Sequence, residues 1–180
     1  MVHVAVARLR VGAKKMISAS RQSLVTLGKA GGVWSFGRYG CDALLGHGVG
    51  KDSSRWGELP RLIKTLDRMV VVQVAAGNRY SIALTRGGGV FAWGSEYDPR
   101  NRYEPWRENA QRYSYQFPNE PMRVRLEGGK QFTNVTDISA GAHHCLAVGK
   151  GGAVYAWGWK DCVHGGKGSC IHSHLGLGQS

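Results

Sequence analysis

Three stretches of the chain repeat one pattern of apolar and polar positions over 21 residues without a gap. They are ISASRQSLVTLGKAGGVWSFG (17–37), VAAGNRYSIALTRGGGVFAWG (74–94) and ISAGAHHCLAVGKGGAVYAWG (138–158), at offsets of 57 and 64 residues. Each opens on an aliphatic residue (Ile17, Val74, Ile138) and a small-residue turn (Ser20, Gly77, Gly141). A short apolar run follows, then a basic-glycine turn: Lys29-Ala30-Gly31-Gly32, Arg86-Gly87-Gly88-Gly89 and Lys150-Gly151-Gly152. A second apolar run ends in aromatic-Gly at Phe36-Gly37, Trp93-Gly94 and Trp157-Gly158. Two short apolar runs across a glycine-rich turn predict a β-hairpin.

The second run of each hairpin predicts how the units pack. Side chains on a strand alternate faces with period two. Trp34 and Phe36 therefore share a face, as do Phe91 and Trp93, and Tyr155 and Trp157. The opposite face is small: Val33 and Ser35, Val90 and Ala92, Val154 and Ala156. Such a sheet can lay its aromatic face on the small face of the next, which is how propeller blades stack. The fold class is all-β.

The repeats extend past the hairpins. Pro60-Arg61-Leu62-Ile63-Lys64-Thr65-Leu66 precedes Val74, and Pro121-Met122-Arg123-Val124-Arg125-Leu126 precedes Ile138; His3 to Leu9 reads as the same edge strand without the proline. Leu45-Gly46-His47-Gly48 after the first aromatic-Gly matches Leu175-Gly176-Leu177-Gly178 after the third. The units run over 3–48, 60–118 and 119–180, the second interrupted by a loop at 96–117.

This combination of a proline strand, V-A-A-G-x-x-H-S-x-A-L, G-x-V-W-x-W-G and an L-G-x-G loop resembles the RCC1 (regulator of chromosome condensation) repeat, over essentially residues 3–180. The chain departs from it at Tyr80 and Ser23, where the family usually has the His present here as His144, and at Ser20 in place of a turn glycine. The second unit lacks an L-G-x-G loop. The resemblance implies a β-propeller, seven-bladed in the family, of which this chain holds three repeat equivalents. Propellers close with ~4–8 blades. Three blades leave two sheet faces and several strand edges open. The chain is therefore expected to be a fragment of a longer chain, part of a propeller completed by a partner chain, or a half that pairs with itself.

Composition refines this picture. Glycine supplies 27 of 180 residues, which suits many tight turns. Lys and Arg outnumber Asp and Glu by 24 to 12, and six of the basic residues lie in the first 32 positions without an acid. A net charge of +12 favours anionic partners. An acid-free, Arg-bearing start is also the composition of a mitochondrial presequence, but the phasing counts residues 3–16 as repeat. Cys41, Cys145, Cys162 and Cys170 show no C-x-x-C spacing, so reduced thiols inside a cell are expected. The expected compartment is the nucleus or cytoplasm, with the mitochondrion as the alternative. No window approaches 18 consecutive apolar residues, so no membrane-spanning helix is expected.

The loop at 96–117 is the candidate partner-binding element. It carries Arg100, Arg102, Tyr103, Trp106, Arg107, Arg112, Tyr113 and Tyr115, and Tyr, Trp and Arg are the residue types enriched at interface hot spots. The competing expectation is that it packs back on its own blade. His143, His144, Cys145, Cys162, His164, Cys170, His172 and His174 do not show zinc spacing, so neither metal nor cofactor is expected. Neither a phosphate loop nor a nucleophile elbow occurs, so catalysis is not expected. The reading is a non-enzymatic scaffold that binds protein. One alternative, implied by the resemblance, is guanine-nucleotide exchange on a Ran-type GTPase with chromatin binding. Another is a basic subunit of a ribonucleoprotein or mitochondrial assembly, in which the charge would meet nucleic acid.

Overall fold

A computed structural model describes residues 16–20, 23–37, 42–48, 59–78, 80–94, 120–126, 129–142 and 144–158. These residues form eleven strands in three antiparallel sheets. The first sheet holds β1 (Met16–Ala19), β2 (Ser23–Leu27), β3 (Val33–Gly37) and β4 (Arg61–Leu62). The second holds β5 (Val71–Ala76), β6 (Tyr80–Thr85), β7 (Val90–Gly94) and β8 (Met122–Arg123). The third holds β9 (Val135–Ala140), β10 (His144–Gly149) and β11 (Val154–Gly158). A one-turn helix, α1 (Asp42–Leu45), and a 3-10 turn at Lys64–Leu66 lie between sheets one and two.

Each predicted hairpin is present and closed in the same way. Gly28 N–H donates to Gly32 O at 2.9 Å, Thr85 N–H to Gly89 O at 2.9 Å, and Gly149 N–H to Ala153 O at 2.8 Å. The third turn residue is left-handed in all three, with φ of +87° at Gly31, +76° at Gly88 and +83° at Gly152. A side chain is strained in that region, so this is the glycine the turn needs.

The proline strands do not stay with the repeat that follows them. Leu62 pairs with Trp34 and Arg61 with Ser35, so β4 is the outer strand of the first sheet. Met122 pairs with Ala92 and Arg123 with Phe91, so β8 completes the second. Repeat and sheet are thus offset by one strand. β2 occupies one edge of β3, and the returning chain takes the other, where backbone groups are otherwise unpaired. Proline has no N–H to give a ladder and stands just before each strand. The strand is also shorter than Pro60–Leu66: after Leu62 the chain turns at Lys64–Leu66 towards the second sheet, with Ile63 and Leu66 fully buried.

The stacking follows the alternation. Val25, Leu27 and Val33 of the first sheet pack on Val74, Ala83, Phe91 and Trp93 of the second. Tyr80, Ile82, Leu84, Val90 and Ala92 on the other face of the second sheet pack on Ile138, Cys145, Ala147, Tyr155 and Trp157 of the third. In both seams the small face of one sheet receives the aromatic face of the next. Trp93 and Tyr80 are fully buried, and burying a side chain of this size supplies on the order of 2–3 kcal/mol. Phe132 closes the second seam, edge-on to Tyr155 at 4.8 Å and to Trp157 at 5.7 Å between ring centroids.

The innermost strands are fastened by polar side chains. Ala76 N–H donates to Ser18 Oγ at 2.9 Å, which ties β5 to β1. Gln73 bridges β5 to β9 by donating to Ile138 O at 2.8 Å and accepting from Ile138 N–H at 3.2 Å. Its amide thereby pairs with the backbone as a strand neighbour would. The same Nε2 lies 2.6 Å from Asp137 Oδ1.

Candidate interaction surface

The connector between the third and fourth strands of a sheet is where the repeats diverge most. In the second sheet it leaves β7 at Gly94 and returns at β8, whose Met122 pairs with Ala92. Its two stems are neighbouring strands of the most buried sheet. Arg100, Arg102, Tyr103, Trp106, Arg107, Arg112, Tyr113 and Tyr115 all belong to this connector and lie outside the described residues. Glu120, at its return, sits 3.4 Å from Thr65 Oγ1 and fills the space beside Gly48.

The corresponding connector of the first sheet carries Leu45-Gly46-His47-Gly48. Leu44 and Leu45 are buried, and Gly46 lies over the indole of Trp93, where a Cβ would stand 2.8 Å from Cδ1 and Nε1. Gly46 also has a φ of +74°. The loop therefore seals the first seam from one end.

That seal includes a serine–histidine pair that the repeat pattern did not reveal. Ser35 Oγ donates to Leu45 O at 2.5 Å and lies 3.0 Å from His47 Nε2. A hydroxyl has one proton to give, so His47 Nε2 is the donor to Ser35 and the imidazole is held as that tautomer. Burial, with Arg61 nearby, lowers its pKa from 6.5 to about 4. Ser35 is fully buried. A base must accept the proton of its nucleophile; here the direction is reversed and the hydroxyl is sealed in. The pair is a structural fastener.

The departures from the repeat pattern at 20, 23 and 80 also acquire a reason. A Cβ on Gly77 would stand 2.0 Å from Tyr80 Cε1, and one on Gly141 would stand 2.4 Å from His144 Cε1. In both repeats the ring at the head of the second strand lies over the turn glycine. In the first repeat both positions are serine: Ser20 Oγ accepts from Ser23 N–H at 3.0 Å and lies 3.0 Å from Ser23 Oγ. Small on small replaces ring on glycine. Tyr80 does more, because its one hydroxyl proton reaches across the seam and is shared between His144 O at 2.6 Å and Gly141 O at 2.9 Å. Burial, then the neighbouring Cys145 thiol, raises its pKa above the usual phenol range. Burial likewise pushes Cys145 up to about 12.

At the opposite end, the hairpin turns present Lys29, Arg86 and Lys150 at equivalent positions, all exposed. Of the candidate metal ligands, His144 and Cys145 are described and the rest lie outside the described residues. Among the described residues no three His, Cys, Asp or Glu side chains gather as a metal site, and no helix is long and apolar enough to cross a membrane.

Comparison with known proteins agrees with this architecture. Family models for the regulator of chromosome condensation (RCC1) repeat match residues 71–98 and 135–162 and residues 30–84, together more than half of the chain. The human E3 ubiquitin-protein ligase HERC2 is 35% identical over 135 residues, covering 74% of this chain and 2% of that protein. Protein RCC1 of Candida albicans is 28% identical over 146 residues, covering 77% of this chain and 30% of that protein. The mitochondrial RCC1 domain-containing protein RUG3 of Arabidopsis thaliana is 31% identical over 163 residues, or 88% of this chain and 32% of that protein. The chain thus spans a third or less of these relatives. Among solved structures, human WBSCR16 superposes with a TM-score of 0.61 at 22% identity, covering 83% of this chain and 34% of that one. Yeast Prp20p does so at 0.58 and 20% identity, covering 81% and 32%. Matched repeats, stacked sheets and propeller neighbours together establish that this chain belongs to the RCC1 repeat family, as a run of β-propeller blades.

Proposed function

We propose that this chain is a non-enzymatic protein-binding scaffold, part of a larger propeller or assembly, whose binding element is the connector at 96–117. The observation that carries this reading is the mounting of that connector. Both stems belong to the second sheet, which is packed on its two faces, and a rigid base lowers the ordering cost of a binding loop. The paired Ser35 and His47 supply no nucleophile, which supports a non-catalytic role. The structure of Prp20p is described with that protein's binding to Gsp1p and histones, and yeast RCC1 has been seen bound by Kap60. Proteins are the partner class these relatives suggest.

The test uses Gsp1p and core histones as probes. Binding to immobilised chain is compared with a variant carrying Trp106→Ala, Arg107→Ala and Tyr113→Ala. The reading expects binding that weakens at least tenfold in the variant, without faster nucleotide release from Gsp1p. Equal binding by both chains removes the connector as the site. Accelerated release would replace the scaffold reading with nucleotide exchange.

A further inference from the structure

We infer that the hairpin-turn end of the three sheets is a docking strip for an extended acidic peptide, separate from the connector at 96–117. Lys29, Arg86 and Lys150 stand at equivalent positions of the three turns and are exposed. Backbone contacts join the turns into one row. A Cβ on Gly31 would stand 3.4 Å from Val70 Cα, and Arg86 N–H donates to Val70 O at 2.8 Å. A Cβ on Gly88 would stand 2.8 Å from Asn134 N, and Lys150 N–H donates to Asn134 O at 2.8 Å. Arg86 and Lys150 are therefore mounted on hydrogen-bonded seams, and Lys29 on a turn packed against the first of them.

The same end gathers further positive charge. Beyond the outer strands the chain crosses to the next sheet here, and the crossings bring Arg68 and Lys130, both exposed. Arg123 pairs with Phe91 just after the second turn, and its guanidinium lies beside Gly89. Among the described residues of the crossings the acid is Asp67. Asp137, on β9, is engaged by the Gln73 amide.

Spacing and surroundings decide the partner's chemistry. Stacked sheets lie ~10 Å apart, so successive turn cations are set at about that step. An extended peptide rises ~3.3 Å per residue, so a carboxylate at every third residue meets a cation at each turn. Arg86, in the middle, offers a fork that one carboxylate fills with two parallel hydrogen bonds. Val70 lies between the first two turns and is 45% exposed, an apolar contact for a side chain between two acids. Beside the cations, Gly87 and Gly151 have nothing within 4 Å of a built Cβ, so a peptide main chain can pass close to the turns. A nucleic acid fits less well. Duplex charge is far denser, one per ~1.7 Å, and the described residues of this end hold no exposed aromatic ring on which single-stranded bases stack.

Fluorescence anisotropy with the full chain and a labelled peptide of about ten residues tests this, with Glu at every third position and Val between the Glu residues. The peptide is expected to bind. Lys29→Glu, Arg86→Glu and Lys150→Glu together should weaken it at least about tenfold, from about threefold for each exposed ion pair. Near-ultraviolet circular dichroism should not change, because all three side chains are exposed. Val70→Ser should cost about threefold. A peptide of the same composition with its Glu residues side by side should bind more weakly than the spaced one. The Trp106→Ala, Arg107→Ala, Tyr113→Ala variant should bind the spaced peptide as the unsubstituted chain does, which separates this strip from the connector. Absent binding, or binding indifferent to the three reversals, overturns the proposal. Equal binding of the two peptides also overturns it, by reducing the strip to general attraction towards a basic chain. So does a DNA oligonucleotide, single-stranded or duplex, that binds more tightly than the peptide.

Discussion

Gly77→Ser is the substitution that most directly tests the packing logic of these repeats. The residue does not need glycine for a left-handed backbone, because it is absent from the positive-φ positions. It needs glycine for space: a Cβ would lie 2.0 Å from Tyr80 Cε1 and 2.2 Å from Cζ. The ring cannot move aside freely, since Tyr80 is fully buried and its hydroxyl is tied to Gly141 and His144. Overpacking of a fixed core costs about 1–3 kcal/mol, and losing the cross-seam hydrogen bond of the single Tyr80 hydroxyl proton adds about 1 kcal/mol. Gly77→Ser alone is expected to destabilise by about 3 kcal/mol. Tyr80→Ser empties a large buried site and should cost about 3–5 kcal/mol. In the double variant the two serines can adopt the Ser20–Ser23 arrangement already present in the first repeat. Gly77→Ser should then cost less than about 0.5 kcal/mol, a coupling of about 2–3 kcal/mol. Urea unfolding followed by Trp fluorescence measures all four corners of the cycle. Additive losses would refute the reasoning, because they would mean that the ring is not what demands glycine at 77.

Three other outcomes follow from the same geometry. Gly88→Ala and Gly152→Ala carry similar left-handed φ, but only Gly88 has backbone within contact distance, Asn134 N at 2.8 Å. Gly152→Ala should cost about 1 kcal/mol of backbone strain, and Gly88→Ala roughly 2 kcal/mol more; equal losses by calorimetry would show that the seam at Gly88 is not tight. His47 is held near pH 4 when folded, below the 6.5 of an ordinary histidine, so the unfolded chain takes up a proton first as the pH falls. Its contribution is complete above about 6.5 and is lost as the pH drops towards 4, on the order of 1 kcal/mol for a half-buried ring; His47→Gln should flatten the stability–pH slope in that window, and an unchanged slope would place the titration elsewhere. Cys145 is 1% exposed and its thiol is pushed up to about 12, so peptide mapping after maleimide treatment at neutral pH should find it unlabelled until denaturant is added; prompt labelling would mean that the second seam opens.

Much of the fold was legible in the sequence because its information is local and repeated. The 21-residue pattern gave the hairpins, their glycine turns and the alternation of large and small faces, and the buried seams use those faces as expected. The offset between repeat and sheet was not legible, since Pro60-Arg61-Leu62 reads the same whichever neighbour it pairs with. The pairing is decided by which strand edge is unpaired when the chain returns. The candidate surface was legible only as composition. Tyr and Arg between 96 and 117 mark an unusual connector, and the fold adds that it is anchored at both ends on the second sheet.

What the sequence alone determined is the repeating unit: two-residue alternation fixes which side chains share a face, and a left-handed turn fixes where glycine must stand. What only the tertiary structure decided is the meaning of the exceptions. Ser20 with Ser23, Gly77 with Tyr80, and Ser35 with His47 read as separate positions along the chain, some of them departures from the pattern and some not. They prove to be contacting pairs, because packing at close range couples residues that local periodicity treats one at a time.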